Sequence, residues 1–351
     1  MFLAAMTAWS WVLNILFLCL GVVGLVKGAD LFVGSASSLA KRFKISSLVI
    51  GLTVVAFGTS APELAVSMVS AIKGESGLAL GNVVGSNICN VALVLGLSAL
   101  ITPLTVKKSI VKRDFPFVII ASVVLLIFCL DNLLAGLPGI DNEIVRGEGL
   151  ILVGGIVAFT MMSIANAKKD IAEGVTSEEE VEEVQDMPLK KSIPFLLIGL
   201  VLIVVGAEFV TTPASTIATE IGVMLGVNEE IMTTVVGLTV VAIGTSLPEL
   251  VTSVIAAKKG ENEIALGNVI GSNIFNILSV LGFSSVIKPL SATQDIITDL
   301  VFSILLIFMA LGFSTRGKIN RIQGGSLVFM YVIYLAYIVI RLFYPFLVLA
   351  V

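Results

Sequence analysis

The chain has 351 residues, 57% of them hydrophobic and 13% charged, and a mean hydropathy of +1.08; a soluble domain carries roughly 25% charged residues, so a soluble globular protein is excluded. The formal charge of −4 speaks against a nucleic-acid partner, and the absence of histidine removes His-dependent zinc proteases and Ser-His or Cys-His hydrolases. Because crossing a ~30 Å hydrocarbon core takes about 20 apolar residues, the chain reads as an all-α polytopic membrane protein with room for ten crossings.

The first apolar run covers 11–39. No Lys or Arg precedes Lys27, so the start lacks the cationic segment of a cleaved signal peptide and is expected to remain as the first crossing. Runs at 46–72, 78–102, 115–130 and 147–167 follow and complete a first set of five. Between 168 and 191 the chain turns acidic, with Ser177-Glu-Glu-Glu-Val-Glu-Glu-Val-Gln-Asp186 at its centre, too costly to place in lipid. This segment is expected to be a solvated, flexible connection. Runs at 192–218, 231–257, 264–287, 296–313 and 323–348 form a second set of five. The domain reading is therefore 1–167, a linker at 168–191, and 192–351. Cys19, Cys89 and Cys129 each sit in an apolar run without paired spacing and read as packing residues.

Loop charge gives orientation, since Lys and Arg collect on the cytoplasmic side. With both termini outside, the cytoplasmic connections hold Lys41, Arg42, Lys44, Lys107, Lys108, Lys112, Arg113, Lys168, Lys169, Lys190, Lys191, Lys258, Lys259, Arg316, Lys318 and Arg321, whereas the other side holds only Lys73, Arg146, Lys288 and Arg341. The acidic linker is then cytoplasmic.

The two sets are copies of each other. Residues 51–96 and 237–282, related by a shift of 186, agree at about 30 of 46 positions, and Gly28-Ala-Asp30 is echoed by Gly206-Ala-Glu208 at a shift of 178. With five helices per copy, the second copy enters the membrane from the opposite side, an arrangement typical of transporters with a site at the repeat interface. Within the copies, Gly-Thr-Ser-x-Pro-Glu occurs twice, ending at Glu63 and Glu249, each near the middle of an apolar run and with no nearby Lys or Arg. A carboxylate at membrane depth faces a protein interior or a cavity and is paired, protonated or bound to a cation. Pro62 and Pro248 deprive the carbonyls four residues earlier of their hydrogen bonds, so helices 2 and 7 are expected to break beside their glutamates. The freed carbonyls around Ala56 and Ala242, with the hydroxyls of Thr59, Ser60, Thr245 and Ser246, then supply neutral oxygens.

The second repeated block is Gly81-Asn-Val-Val-Gly-Ser86-Asn-Ile-Cys-Asn90, matched by Gly267-Asn-Val-Ile-Gly-Ser272-Asn-Ile-Phe-Asn276. Gly81 with Gly85, and Gly267 with Gly271, have the spacing that brings helix backbones together. Ser86 and Asn90 lie on one helical face, as do Ser272 and Asn276, and both pairs can converge with the glutamates. Asn82, Asn87, Asn268 and Asn273 read as interhelical hydrogen-bonding residues. Every candidate ligand is an oxygen, the chemistry of hard cations such as Ca²⁺ or Na⁺.

These blocks resemble the two alpha-repeats of the sodium/calcium exchangers of the calcium/cation antiporter superfamily, and the resemblance covers essentially the whole chain. It implies a secondary antiporter exchanging Ca²⁺ for Na⁺ by alternating access. It implies, too, a midplane site lined by Glu63, Asn90, Glu249 and Asn276 with Thr59, Ser60, Ser86, Thr245, Ser246, Ser272 and the carbonyls of Ala56 and Ala242. The implied fold is ten helices in two inverted five-helix repeats in the cell membrane, with no cofactor, no protein partner and no large regulatory domain. Some prokaryotic relatives carry aspartate where this chain has Asn276, which leaves two site carboxylates here. In the family the first helix of each half, carrying Asp30 or Glu208, is long and slides during alternation, so both acids are expected to make helix contacts. A cation/proton antiporter on the same scaffold is the nearest alternative. A cation channel fits the mirrored halves poorly, and an intramembrane enzyme would lack His and any Ser-Lys pair in the repeat blocks.

Overall fold

The computed structural model describes residues 8–131, 142–172 and 187–349; the acidic centre of the linker lies outside them. Each apolar run is helical. Helix α1 spans Ala8–Phe43 and closes on Lys41 and Arg42, which complement the negative end of its dipole. Helix α2 (Ser47–Thr59) is capped by Ser46, whose hydroxyl accepts from the Val49 amide, and α3 (Ala61–Lys73) follows at an angle of 48°. The break falls at Ser60 (φ −89°, ψ 8°), with Pro62 in the first turn of α3, where the missing amide costs nothing. Gly74, at φ 82°, ends α3 in the left-handed conformation that glycine adopts freely.

Helices α4 (Ser76–Ile101), α5 (110–128) and α6 (Arg146–Ala172) complete the first half. In the second half, α7 spans Leu189–Met224, and the broken run gives α8 (229–245) and α9 (Leu247–Lys258), parted at Ser246 with Pro248 in the first turn of α9. Then come α10 (Asn262–Ile287), α11 (Gln294–Ser314) and α12 (Arg321–Leu349). Seven of the described helices are long and apolar enough to cross a membrane, and an eighth crossing arises if α2 and α3 are taken together.

The core lies on α4 and α10: the central window of α10 is 100% buried and that of α4 72%, against 22% for both α1 and α7. Helices α1 and α7 instead pack on each other along their length at the margin of the bundle. Glycines permit their close crossing. A Cβ on Gly28 would come within 2.9 Å of the Gly199 carbonyl, and one on Gly206 within 2.9 Å of the Gly21 carbonyl. At the 178-residue shift, Gly21 corresponds to Gly199 and Gly28 to Gly206, so the two contacts are images of one another.

The all-α expectation needs a small correction. Two antiparallel ladders of two residues each tie the halves together: β1 (Leu104–Thr105) with β4 (Lys318–Ile319), and β2 (Glu143–Ile144) with β3 (Leu290–Ser291). They form where extended connections meet, and each satisfies backbone groups that leave the helices unpaired. A second correction concerns helical winding. π-helical turns occupy 51–55 and 237–241, ahead of each break, and 90–94 and 276–281, beginning at Asn90 and Asn276. A wider turn leaves no mark in apolar periodicity over so few residues. Cys89 and Cys129 are buried as expected, but Cys19 is exposed on the outward side of α1.

Candidate ion-binding site

The two helix breaks lie against each other, since Ser60 at the first bonds Glu249 beside the second. Glu63 and Glu249 each sit in the first turn of the helix that restarts after a break, where unpaired amides and the positive end of the helix dipole favour a carboxylate. Both are fully buried. Ser86 donates to Glu63 Oε1 at 3.4 Å, and Ser272 donates to Glu249 Oε1 at 3.5 Å. Ser60 donates to Glu249 Oε1 at 2.8 Å, crossing from the first half to the second. The other oxygen of each carboxylate, Oε2, has no hydrogen-bond partner among the described residues. No ion pair reaches either glutamate among the described residues, and no group of three or more His, Cys, Asp and Glu gathers there.

Neutral oxygens surround the pair. Asn90 is fully buried and, among the described residues, neither end of its amide is bonded, while Asn276, equally buried, has there an unbonded Oδ1. Ser246 is buried as well. Thr59 donates to Asn268 Oδ1 at 3.0 Å and lies 3.4 Å from the Ala56 carbonyl; Thr245, half-buried, donates to the Ala242 carbonyl at 3.2 Å. An unpaired buried carboxylate oxygen or amide forfeits a hydrogen bond worth about 1–3 kcal/mol, and the donor atoms gathered here are chiefly oxygens, the ligand chemistry of hard cations. Asn82 and Asn268 fasten the scaffold. Asn82 donates to the Glu63 carbonyl (3.3 Å) and Ser67 (2.9 Å), and Asn268 does the same for the Glu249 carbonyl (3.3 Å) and Ser253 (2.9 Å).

The two halves are not in the same condition. Helix α2 packs directly on α10: a Cβ on Gly271 would fall 2.6 Å from the Leu52 carbonyl, one on Gly267 2.9 Å from the Leu48 carbonyl, and one on Gly51 3.0 Å from Ile264. At the equivalent junction of α8 with α4, Gly85 and Gly237 have nothing within 4 Å among the described residues, and Gly81 has there only the Ile296 side chain at 3.8 Å. The hydrogen bonds follow the same division. Thr59 and Ser60 reach across to Asn268 and Glu249, but Thr245 and Ser246 form no equivalent bonds to Asn82 and Glu63.

The tight junction carries a polar clasp at the end where Lys107 and Lys259 lie. Lys259 pairs with Asp30 at 2.8 Å and also donates to the Asp30 carbonyl, Ser37 bonds Glu261, and Glu263 accepts from the Leu48 amide at 3.0 Å while pairing with Lys107. At the loose junction the counterparts of Lys259, Asp30, Glu261 and Ser37 are Lys73, Glu208, Glu75 and Ser215. There Glu208 accepts from Thr212 on its own helix, and the Ser215 hydroxyl has no hydrogen-bond partner among the described residues. Sequence reading marked the acids of α1 and α7 as helix contacts but offered no sign of this clasp, because its members are scattered from 30 to 263.

A family model described as "sodium/calcium exchanger protein" matches residues 13–165 and 191–340, most of the chain and both repeat blocks. The chain belongs to the sodium/calcium exchanger family. As a member of that family it is an integral membrane antiporter and not an enzyme. It is 36% identical over 349 residues to the sodium/calcium exchanger MaX1 of Methanosarcina acetivorans, covering 92% of this chain and 97% of the relative. It is 35% identical over 329 residues to the inner membrane protein YrbG of Escherichia coli, covering 90% and 95%. Among solved structures it resembles the sodium-calcium exchanger NCX_Mj soaked with Na⁺ and Sr²⁺, with a TM-score of 0.75 at 30% identity over 93% of this chain and 99% of that one. In this family member the breaks of both alpha-repeats bring Glu63, Glu249, Asn90, Asn276 and their hydroxyl neighbours into one buried region.

Proposed function

We propose that the chain exchanges Ca²⁺ for Na⁺ by alternating access, across ten crossings arranged as two inverted five-helix halves, 1–167 and 192–351, with the linker 168–191 in the cytoplasm. The observation that carries the reading is the pair of buried glutamates, each with a free carboxylate oxygen and no basic partner. Two ionised carboxylates balance one Ca²⁺ or two Na⁺, and the amide, hydroxyl and main-chain oxygens around them supply the six to eight contacts that Ca²⁺ takes. Thr59, Ser60, Ser86, Thr245, Ser246, Ser272, Asn90, Asn276 and the carbonyls of Ala56 and Ala242 are the proposed neutral ligands. The names of MaX1 and NCX_Mj as sodium/calcium exchangers support the same ion pair.

Exchange requires that the empty site not cross the membrane. With a charge of about −2 and no counter-charge, an occluded empty site pays a desolvation penalty of several kcal/mol per ion, which a bound Ca²⁺ or two Na⁺ removes. The tight α2–α10 junction and the loose α8–α4 junction then represent one access state, closed at the cytoplasmic end and open at the outer one, with sidedness taken from the asymmetry of Lys and Arg. Ca²⁺-loaded proteoliposomes test this. They are expected to release Ca²⁺ into medium containing Na⁺ or Ca²⁺, with pH clamped, and to retain it in choline. Release driven by a pH gradient alone would assign the protein to proton exchange, and rapid release into choline at clamped pH would overturn obligatory exchange.

A further inference from the structure

An asparagine ligand raises a problem that a carboxylate does not. One end of its amide is an oxygen that attracts a cation and the other is an NH₂ that repels it, so something must set which end faces the ion. Asn276 donates its Nδ2 to Asn87 Oδ1 at 3.1 Å, across from α10 to α4, and its own Oδ1 is buried and free. Asn87 in turn donates its Nδ2 to the main-chain carbonyl of Asn273 at 3.4 Å. A main-chain carbonyl can only accept. Asn87 must therefore turn its NH₂ toward Asn273 and its oxygen toward Asn276, and Asn276 must answer with its NH₂ and leave its oxygen at the far end. Asn276 itself shares a helical face with Ser272, one turn earlier, whose hydroxyl reaches Glu249.

The other half has no such device in this state. Asn273, the counterpart of Asn87, donates to the Val269 carbonyl of its own helix at 2.8 Å, and both ends of the Asn90 amide are unbonded. One asparagine of the pair is held and its image is not.

We propose that Asn87 is a positioning residue that holds the Asn276 amide oxygen toward the bound cation. This rests on the reading of the site as a Ca²⁺ and Na⁺ site. The test is a double substitution read as the apparent KM for Ca²⁺ in Na⁺-loaded proteoliposomes, with maximal rate measured alongside. Asn87→Leu removes the acceptor and frees the amide to turn, and is expected to raise the Ca²⁺ KM by about tenfold, a loss of roughly 1.4 kcal/mol, with little change in maximal rate. In an Asn276→Asp background the same change should raise KM by less than about twofold, because a carboxylate presents oxygen whichever way it turns. Equal losses in both backgrounds would assign Asn87 to general packing and overturn the proposal, as would an unchanged KM in the Asn276 background. Asn87→Ala gives the same comparison if leucine prevents folding. Wild-type protein that takes up no Ca²⁺ against Na⁺ would strike the site reading itself, and this proposal with it.

Discussion

Two junctions in this molecule are built from nearly the same residues and adopt different conditions. Gly51, Gly267 and Gly271 bring α2 against α10 backbone to backbone, whereas Gly237, Gly81 and Gly85 leave α8 standing off α4. The burial of the two central helices records the difference, at 100% for α10 and 72% for α4. Because the glycines, the Gly-Thr-Ser-x-Pro-Glu breaks and the asparagines that anchor each glutamate recur in both, the difference is one of conformation. On the proposed mechanism, either junction closes in turn. A carrier with that property has a second state in which the loose junction is tight and the tight one loose, and a site between them that faces one side at a time.

The largest expected effect falls on what the junctions share. Glu63→Gln and Glu249→Gln each leave bound Ca²⁺ with one uncompensated charge in a poorly solvated site, a loss of about 3–5 kcal/mol that corresponds to a fall of roughly 100-fold or more in Ca²⁺ uptake. Both variants should still purify as folded membrane protein, and wild-type uptake by either would break the assignment.

The next effect separates the junctions. Gly85→Val places a branched side chain where α8 must dock in the alternate state, while this state has room for it. Overpacking costs about 1–3 kcal/mol, so the variant is expected to hold the protein in the present state by a factor of ten or more. Gly271→Val meets the Leu52 carbonyl and should shift the population the other way. Both slow exchange, but their effects on the reactivity of a cysteine placed at Ser76 should be opposite in sign; the same sign for both would refute the paired-junction account.

The clasp is expected to contribute least. Lys259 and Asp30 are partly exposed, with side chains 34% and 53% accessible, and such pairs contribute about 0–1 kcal/mol. Asp30→Asn should therefore favour opening at the α2–α10 end only a few-fold. A Lys73→Cys, Glu208→Cys pair offers the sharper comparison. Its disulfide should form when the α8–α4 end closes, and its formation should stop exchange until it is reduced. Cross-linking that leaves exchange intact would remove the mirrored clasp from the account.

Much of this was legible in the residues. The apolar runs located the helices, the prolines located both breaks, and the doubled motif named the glutamates and their neighbours as candidates. Four features were not. The π turns at Asn90 and Asn276 add one residue to a single turn, too little to disturb a hydrophobic pattern. The β1–β4 and β2–β3 ladders form between connections more than 140 residues apart, and their strands are only two residues long. Which junction is closed was not legible either, because the motif residues that build both junctions recur in each copy, and repetition of a motif does not say which copy is packed tightly. Asn87 was grouped with the structural asparagines because its link to Asn276 depends on how α4 meets α10.

Paired distances measure the central claim most directly. Spin labels at Ser47 and Asn262 report the tight end, and labels at Thr233 and Ser76, the same positions shifted by 186, report the loose end. As Na⁺ and Ca²⁺ are varied, the account predicts two populations, one short at Ser47–Asn262 and long at Thr233–Ser76, the other reversed. Both distances lengthening together under one condition, or Ser47–Asn262 staying short while Thr233–Ser76 closes and exchange continues, would contradict it.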